Sequence, residues 1–227
     1  MTNPVTTRRR TAAVAAGGAV VFRVASIFLW PPDSDASHAR MLATAADHPA
    51  AWQLATAAEV IAWLLAGFAV LTGIRLVADR GYRLTQVGGW VYGVSLLALG
   101  FVGGAMNAVT GVLATEPSRA LMVKVQGDLS SPVLTAMVAL IMLGELFPIV
   151  FGLGLARARL VGWWYPALNT VALAAYVVTS DSSDHLVNLA GFVPLGASWL
   201  VLARLLTSRR STATAPVAAP ALSATPA

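Results

Sequence analysis

The chain contains no cysteine. Disulfides, thiolate metal sites, thioether-linked haem and cysteine nucleophiles are therefore excluded. Charge is nearly as scarce: only 11% of the 227 residues are Asp, Glu, Lys or Arg, where a soluble domain carries about 25%. Lysine is reduced to Lys124, against fourteen arginines. With abundant Ala, Gly and Val, that bias is the kind a GC-rich bacterial genome produces. A phosphate loop, a Gly-x-Ser-x-Gly elbow, an HExxH motif and a dinucleotide fingerprint are also missing. The chain reads as a non-enzyme that needs no cofactor.

What fills the space instead is apolar. Hydrophobic residues make up 57% of the chain, more than a water-soluble fold can cover. The sequence predicts an all-α, polytopic transmembrane bundle. A bilayer-crossing helix takes about 20 apolar residues, and six runs qualify: 11–30, 52–74, 86–113, 132–156, 163–180 and 185–206. The third is long for one crossing, so it tilts or ends early. Tryptophan and tyrosine gather at membrane interfaces. Trp30 and Trp52 mark one interface; Trp90, Trp163, Trp164 and Tyr165 mark the other. Trp63 lies deeper and reads as packing.

Orientation follows from the distribution of Arg and Lys between loops. One side holds Arg8, Arg9, Arg10, Arg75, Arg80, Arg83, Arg157, Arg159, Arg204, Arg209 and Arg210; the other holds Arg40, Arg119 and Lys124. Asp33, Asp35, Asp47, Glu116, Asp128, Asp181 and Asp184 all fall on the arginine-poor side. Both termini are expected in the cytoplasm of a bacterial cell. The chain divides into a basic N-terminal tail (1–10), a six-helix membrane domain (11–206) and a disordered cytoplasmic tail (207–227). A signal peptide is the rival reading for the first run, with Ser37–His38–Ala39 as its cleavage site. Arg23 and Pro31–Pro32 argue against it. Two external segments, 37–48 and 118–126, read either as short interfacial helices or as irregular loops. No internal repeat is found.

Charges inside a bilayer cost several kcal/mol and are functional candidates by default. Three occur: Arg23, Glu59 and Glu145. Arg23 lies seven residues before Trp30 and Glu59 seven residues after Trp52. At 1.5 Å per residue both sit about 10 Å below the outer interface, which is the placement an ion pair needs. The alternative for Arg23 is to snorkel outward. Glu145 is more isolated. Pro148 cannot donate to the Gly144 carbonyl, so a kink is expected beside it. Its carboxyl is placed to bind a cation, to relay a proton, or to hydrogen-bond a neighbouring helix, with Asn169 as the partner at its depth. Pro194, between Gly191 and Gly196, marks a second kink, near Asn188.

Gly89, Gly93, Gly100, Gly104 and Gly111 form a stripe on the third run, with Asn107 in the same sector. Small residues let helix backbones approach closely. The stripe reads as intramolecular packing, or as a contact for a second copy or another membrane protein. His38, His48 and His185 share the outer rim with five aspartates. Their spacing lacks a ligand motif, so no metal site is assigned. The basic residues flank apolar runs, so nucleic acid is not an expected partner.

The opening run Arg9–Arg10–Thr11–Ala12–Ala13–Val14 resembles a family of small multi-pass bacterial membrane proteins known only as a domain of unknown function. So do Phe151–Gly152–Leu153–Gly154–Leu155–Ala156–Arg157 and Trp164–Tyr165–Pro166–Ala167–Leu168. The resemblance covers most of residues 9–206. It implies a membrane-embedded bundle and brings no site residues, because the family has no established activity. The expected function is a non-catalytic partner or accessory protein working through the glycine stripe. The alternative is a small ion or proton carrier or channel using Glu145, Asn169 and Arg23–Glu59.

Overall fold

The computed structural model describes residues 4–31, 38–114, 139, 141–179, 182 and 184–208. All regular structure among them is helical. The expected helix 118–126, residues 132–138 of the expected fourth run and the tail from 209 onward lie outside the described residues. So do Asp33, Asp35, Asp181, Arg119 and Lys124.

α1 (Pro4–Leu29) begins at a proline, whose missing N–H has no intrahelical acceptor to lose. Arg8, Arg9 and Arg10 are helical, so the expected basic tail is the start of α1. The apolar run starts at Thr11, where the charges end, but a helix continues through charged residues that face solvent. α2 (His38–Asp47) makes a short helix of the segment 37–48, which the sequence left open between a helix and an irregular loop. It buries Leu42 and Ala45 against Trp52. α3 (Pro49–Gly73) again starts at proline and tightens into a 3-10 turn, Ile74–Leu76. Gly81, at φ 85°, precedes α4 (Tyr82–Leu113). Then come α5 (Phe147–Arg157), α6 (Trp164–Thr179) and α7 (His185–Thr207). Asp184 caps α7 by accepting from the Leu186 N–H at 2.8 Å. α7 continues unbroken through Pro194 to Thr207, one residue past the expected end.

The fourth expected run is not one helix. Residues 141–144 are helical, 145–146 form a turn, and α5 starts at Phe147. The Glu145 N–H reaches both Ile141 and Met142 carbonyls, and the Leu146 N–H reaches Leu143. That tightening is how a chain closes a helix when Pro148 denies it the next donor. The break falls where the sequence placed a kink.

The helices other than α2 run antiparallel in succession. On α1 and α3, Gly18 meets Leu65, Arg23 meets Glu59 and Trp30 meets Trp52. On α3 and α4, Ile74 meets Gly89, Trp63 meets Gly100 and Trp52 meets Gly111. The same falling order links α4 to α5, α5 to α6 and α6 to α7. α7 then packs back on α1, with Gly196 near Val20 and His185 near Trp30. The six form a closed up-and-down ring. Its core holds Trp63, Tyr92, Phe151, Tyr165, Phe192 and Trp199. Four helices, α1, α3 with its 3-10 turn, α4 and α7, are long and apolar enough to cross a membrane. α5 and α6 have 11 and 16 residues.

Candidate functional site

The glycine stripe of α4 is occupied. Gly89 faces Ile74, Gly93 faces Leu71 and the Gly67 carbonyl, and Gly100 faces Trp63. Gly104 faces Val60 and Gly111 faces Trp52. All these neighbours belong to α3 or to the 3-10 turn that continues it, so the stripe packs within the chain. Of the two readings of the stripe, the structure shows the packing one: bulky α3 side chains fill the space the glycines leave. Asn107, in the same sector, is half-buried and offers its backbone carbonyl to the Trp52 indole at 2.8 Å.

Arg23 and Glu59 meet. Arg23 Nη1 lies 2.9 Å from Glu59 Oε1, with the side chains only 13% and 20% exposed. Small neighbours make that approach possible: Ala16, Ala19 and Ser26 on α1, and Ala55, Ala62 and Ala66 on α3, are all buried. Arg23 also donates to Ser26 Oγ at 3.0 Å and lies 5.4 Å from the Trp63 ring centre. The Trp63 indole donates to Glu59 Oε1 at 3.3 Å. Arg23 therefore does not snorkel; its charge is met inside the bundle by a carboxylate and an aromatic face.

Glu145 is held at the broken end of the 141–146 segment. Gly144 beside it packs against Ser95 of α4. The residue is 7% exposed, and its Oε1 has no hydrogen-bond partner. A small cavity adjoins it, lined by Glu145, Pro148, Asn169, Ala172, Leu173, Tyr176 and Leu195. About 10 Å³ is open to a water's centre, roughly the minimum for one water.

Asn169 lines that cavity but is not the partner expected for Glu145. Its Nδ2 donates to the Pro148 carbonyl at 3.0 Å, and its Oδ1 accepts from Ser198 Oγ at 2.6 Å. Ser198 Oγ is also 3.1 Å from the Tyr165 hydroxyl, which donates to the Ser198 carbonyl. The Pro148 carbonyl lies in the first turn of α5, so the Asn169 amide ties α6 to the helix that starts at the break. Asn188 sits near the start of α7 and donates to the Ser182 carbonyl, which makes it a capping residue.

Two further residues that the sequence reading passed over complete the site. Tyr176 lines the cavity. Its ring stands edge-on to Trp63, 6.3 Å between centres. Tyr92 is buried and accepts from the Trp199 indole at 3.0 Å. Tyr176 could have been found, since it follows Asn169 by seven residues and so shares its face. Tyr92 sits inside the glycine stripe, where small neighbours drew the attention. Among the described residues no group of three His, Asp or Glu side chains could hold a metal ion.

The fold and this buried polar chain define an all-helical bundle built from membrane-capable helices, with two carboxylates inside it. No protein-family model, no curated protein and no solved structure matches the chain.

Proposed function

We propose that the protein crosses a bacterial cytoplasmic membrane six times, with both termini in the cytoplasm, and binds a proton or small cation at Glu145 as a small carrier or channel. The resemblance to the uncharacterised multi-pass family is part of this reading. The observation that carries it is the free Oε1 of Glu145 beside a cavity of single-water size. An ionised carboxylate buried without a partner is costly. The group therefore keeps either a proton or a cation, and its exchange is the elementary step of transport. Tyr176 lines this cavity and packs on Trp63, which itself contacts Glu59 and Arg23, so the pair can bias the site without touching it. Asn169 and Ser198 pin the helix break that presents Glu145.

The test is flux in liposomes. Purified protein is reconstituted with an entrapped pH dye, and a potassium gradient with valinomycin drives the current. Wild type should acidify or alkalinise the lumen with the sign of the potential. Glu145→Gln should fold, because the amide replaces a protonated carboxyl as a donor, and should lose at least about tenfold of the flux. Wild-type flux from the Gln variant would remove Glu145 from the pathway. A second reading, a non-catalytic accessory protein, is favoured by the narrowness of the cavity. It gains if wild type carries neither protons nor alkali cations.

A further inference from the structure

The antiparallel ring brings two short connections together at its arginine-bearing end. The link between α3 and α4 (77–81) lies against the C-terminal end of α5, where Gly81 packs on the Gly154 carbonyl. Beside that contact is a groove of about 500 Å³ lined by Ala78, Asp79, Gly81, Tyr82, Arg83, Leu84 and Arg157. A neighbouring hollow of about 200 Å³ shares Ala78 and Asp79 and adds Arg80. Arg80, Arg83 and Arg157 are exposed and form no ion pair among the described residues. Against Asp79 they leave two positive charges in excess. The groove also receives the first turn of α4. The Tyr82 N–H is taken by the Asp79 carbonyl and the Thr85 N–H by Gly81, while those of Arg83 and Leu84 have no acceptor among the described residues. Two guanidinium forks from different elements and two free N–H donors suit one phosphate.

We propose that this groove binds the phosphodiester headgroup of an anionic phospholipid. Three features favour a lipid over a free anion. The walls are partly apolar, from Ala78, Leu84 and the Tyr82 ring. Tyr82, Trp163 and Trp164 are 47%, 67% and 55% exposed at this end of the bundle, as side chains at headgroup level are. Asp79 disfavours a dianion more than the single charge of a phosphodiester. The site rests on the chain being membrane-embedded, and it is independent of what Glu145 does.

The test uses the full chain in non-ionic detergent, titrated with dihexanoyl phosphatidylglycerol, dihexanoyl phosphatidylcholine or inorganic phosphate. Bound lipid is counted by native mass spectrometry, and the shift in melting temperature is followed. One phosphatidylglycerol should bind saturably, and phosphatidylcholine should bind at least about tenfold more weakly. Arg83→Gln with Arg157→Gln should weaken phosphatidylglycerol at least about tenfold and leave the unliganded melting temperature unchanged. Arg8→Gln with Arg9→Gln, the same loss of charge at the same end, should retain it. If the double variant fails to fold, each single variant carries the comparison. Equal binding of both lipids, undiminished binding by the groove variants, or inorganic phosphate saturating as readily as the lipid would each overturn the proposal.

Discussion

The pairing of Arg23 with Glu59 removes two charges from the bilayer at once, and each has further help from Trp63. Breaking a buried pair on one side leaves the other charge stranded, at about 3–5 kcal/mol, whereas removing both can be nearly neutral. Arg23→Ala and Glu59→Ala should each lower the melting temperature in detergent, and the double variant should recover most of the loss. Strictly additive losses would show that the two groups do not stabilise each other. The pair was legible because both residues can be counted from interfacial tryptophans, which fixes depth. Depth was not enough for Glu145. Asn169 lies at a suitable level, but the Pro148 carbonyl and Ser198 compete for its amide. Such competition is decided by which faces meet, and a single helix period does not contain that.

α5 shows how a short helix holds a place between two neighbours. Gly154 lets Thr85 of α4 approach to its backbone, and Gly152 opens the other side to Pro166 and Asn169 of α6. The run Phe151–Arg157 and the Trp164–Tyr165–Pro166 run that follows it thus have a packing reason. α5 closes in a Schellman arrangement: Leu160 N–H to the Leu155 carbonyl and Arg159 N–H to the Ala156 carbonyl. The left-handed position belongs to Arg159, at φ 58°, where glycine is normal. A side chain there costs roughly 1–2 kcal/mol, partly offset by the greater freedom glycine has when unfolded. Arg159→Gly should therefore stabilise the protein by about 0.5–1 kcal/mol, seen as a higher melting temperature. A lower one would mean that the arginine side chain makes a contact worth more than the strain. Helix ends were the less legible part of the sequence. An arginine offers no stop signal, and the break before Phe147 needed Pro148 to be read together with the Glu145 turn.

At the scale of the whole molecule, the alternation of arginine-rich and arginine-poor connections has a geometric counterpart. Six antiparallel helices put residues 75–83 and 157–160 at one end, and Trp30, α2 and His185 at the other. The order of elements and their up-and-down course were legible because each run was bounded by charge. The closing contact between α7 and α1 was not, because nothing in either helix's own period names its partner. Single cysteines at Ser37, Ser118 and Ser182 should react with an impermeant maleimide added to intact cells, while those at Ala78, Ala158 and Ser211 should not. External labelling at Ala158 would reverse or remove the proposed crossings. Ring closure also imposes a schedule on synthesis. Arg23 waits for Glu59 only until the next long helix is made, so the ion pair forms between early neighbours. The face of α1 around Val20 meets Gly196 only after 176 more residues (196 − 20) have been translated. At about 5–20 residues per second that is roughly ten to thirty-five seconds. For that interval the nascent bundle is an open arc, and this flank of α1 lacks its partner within the chain until the last helix is made.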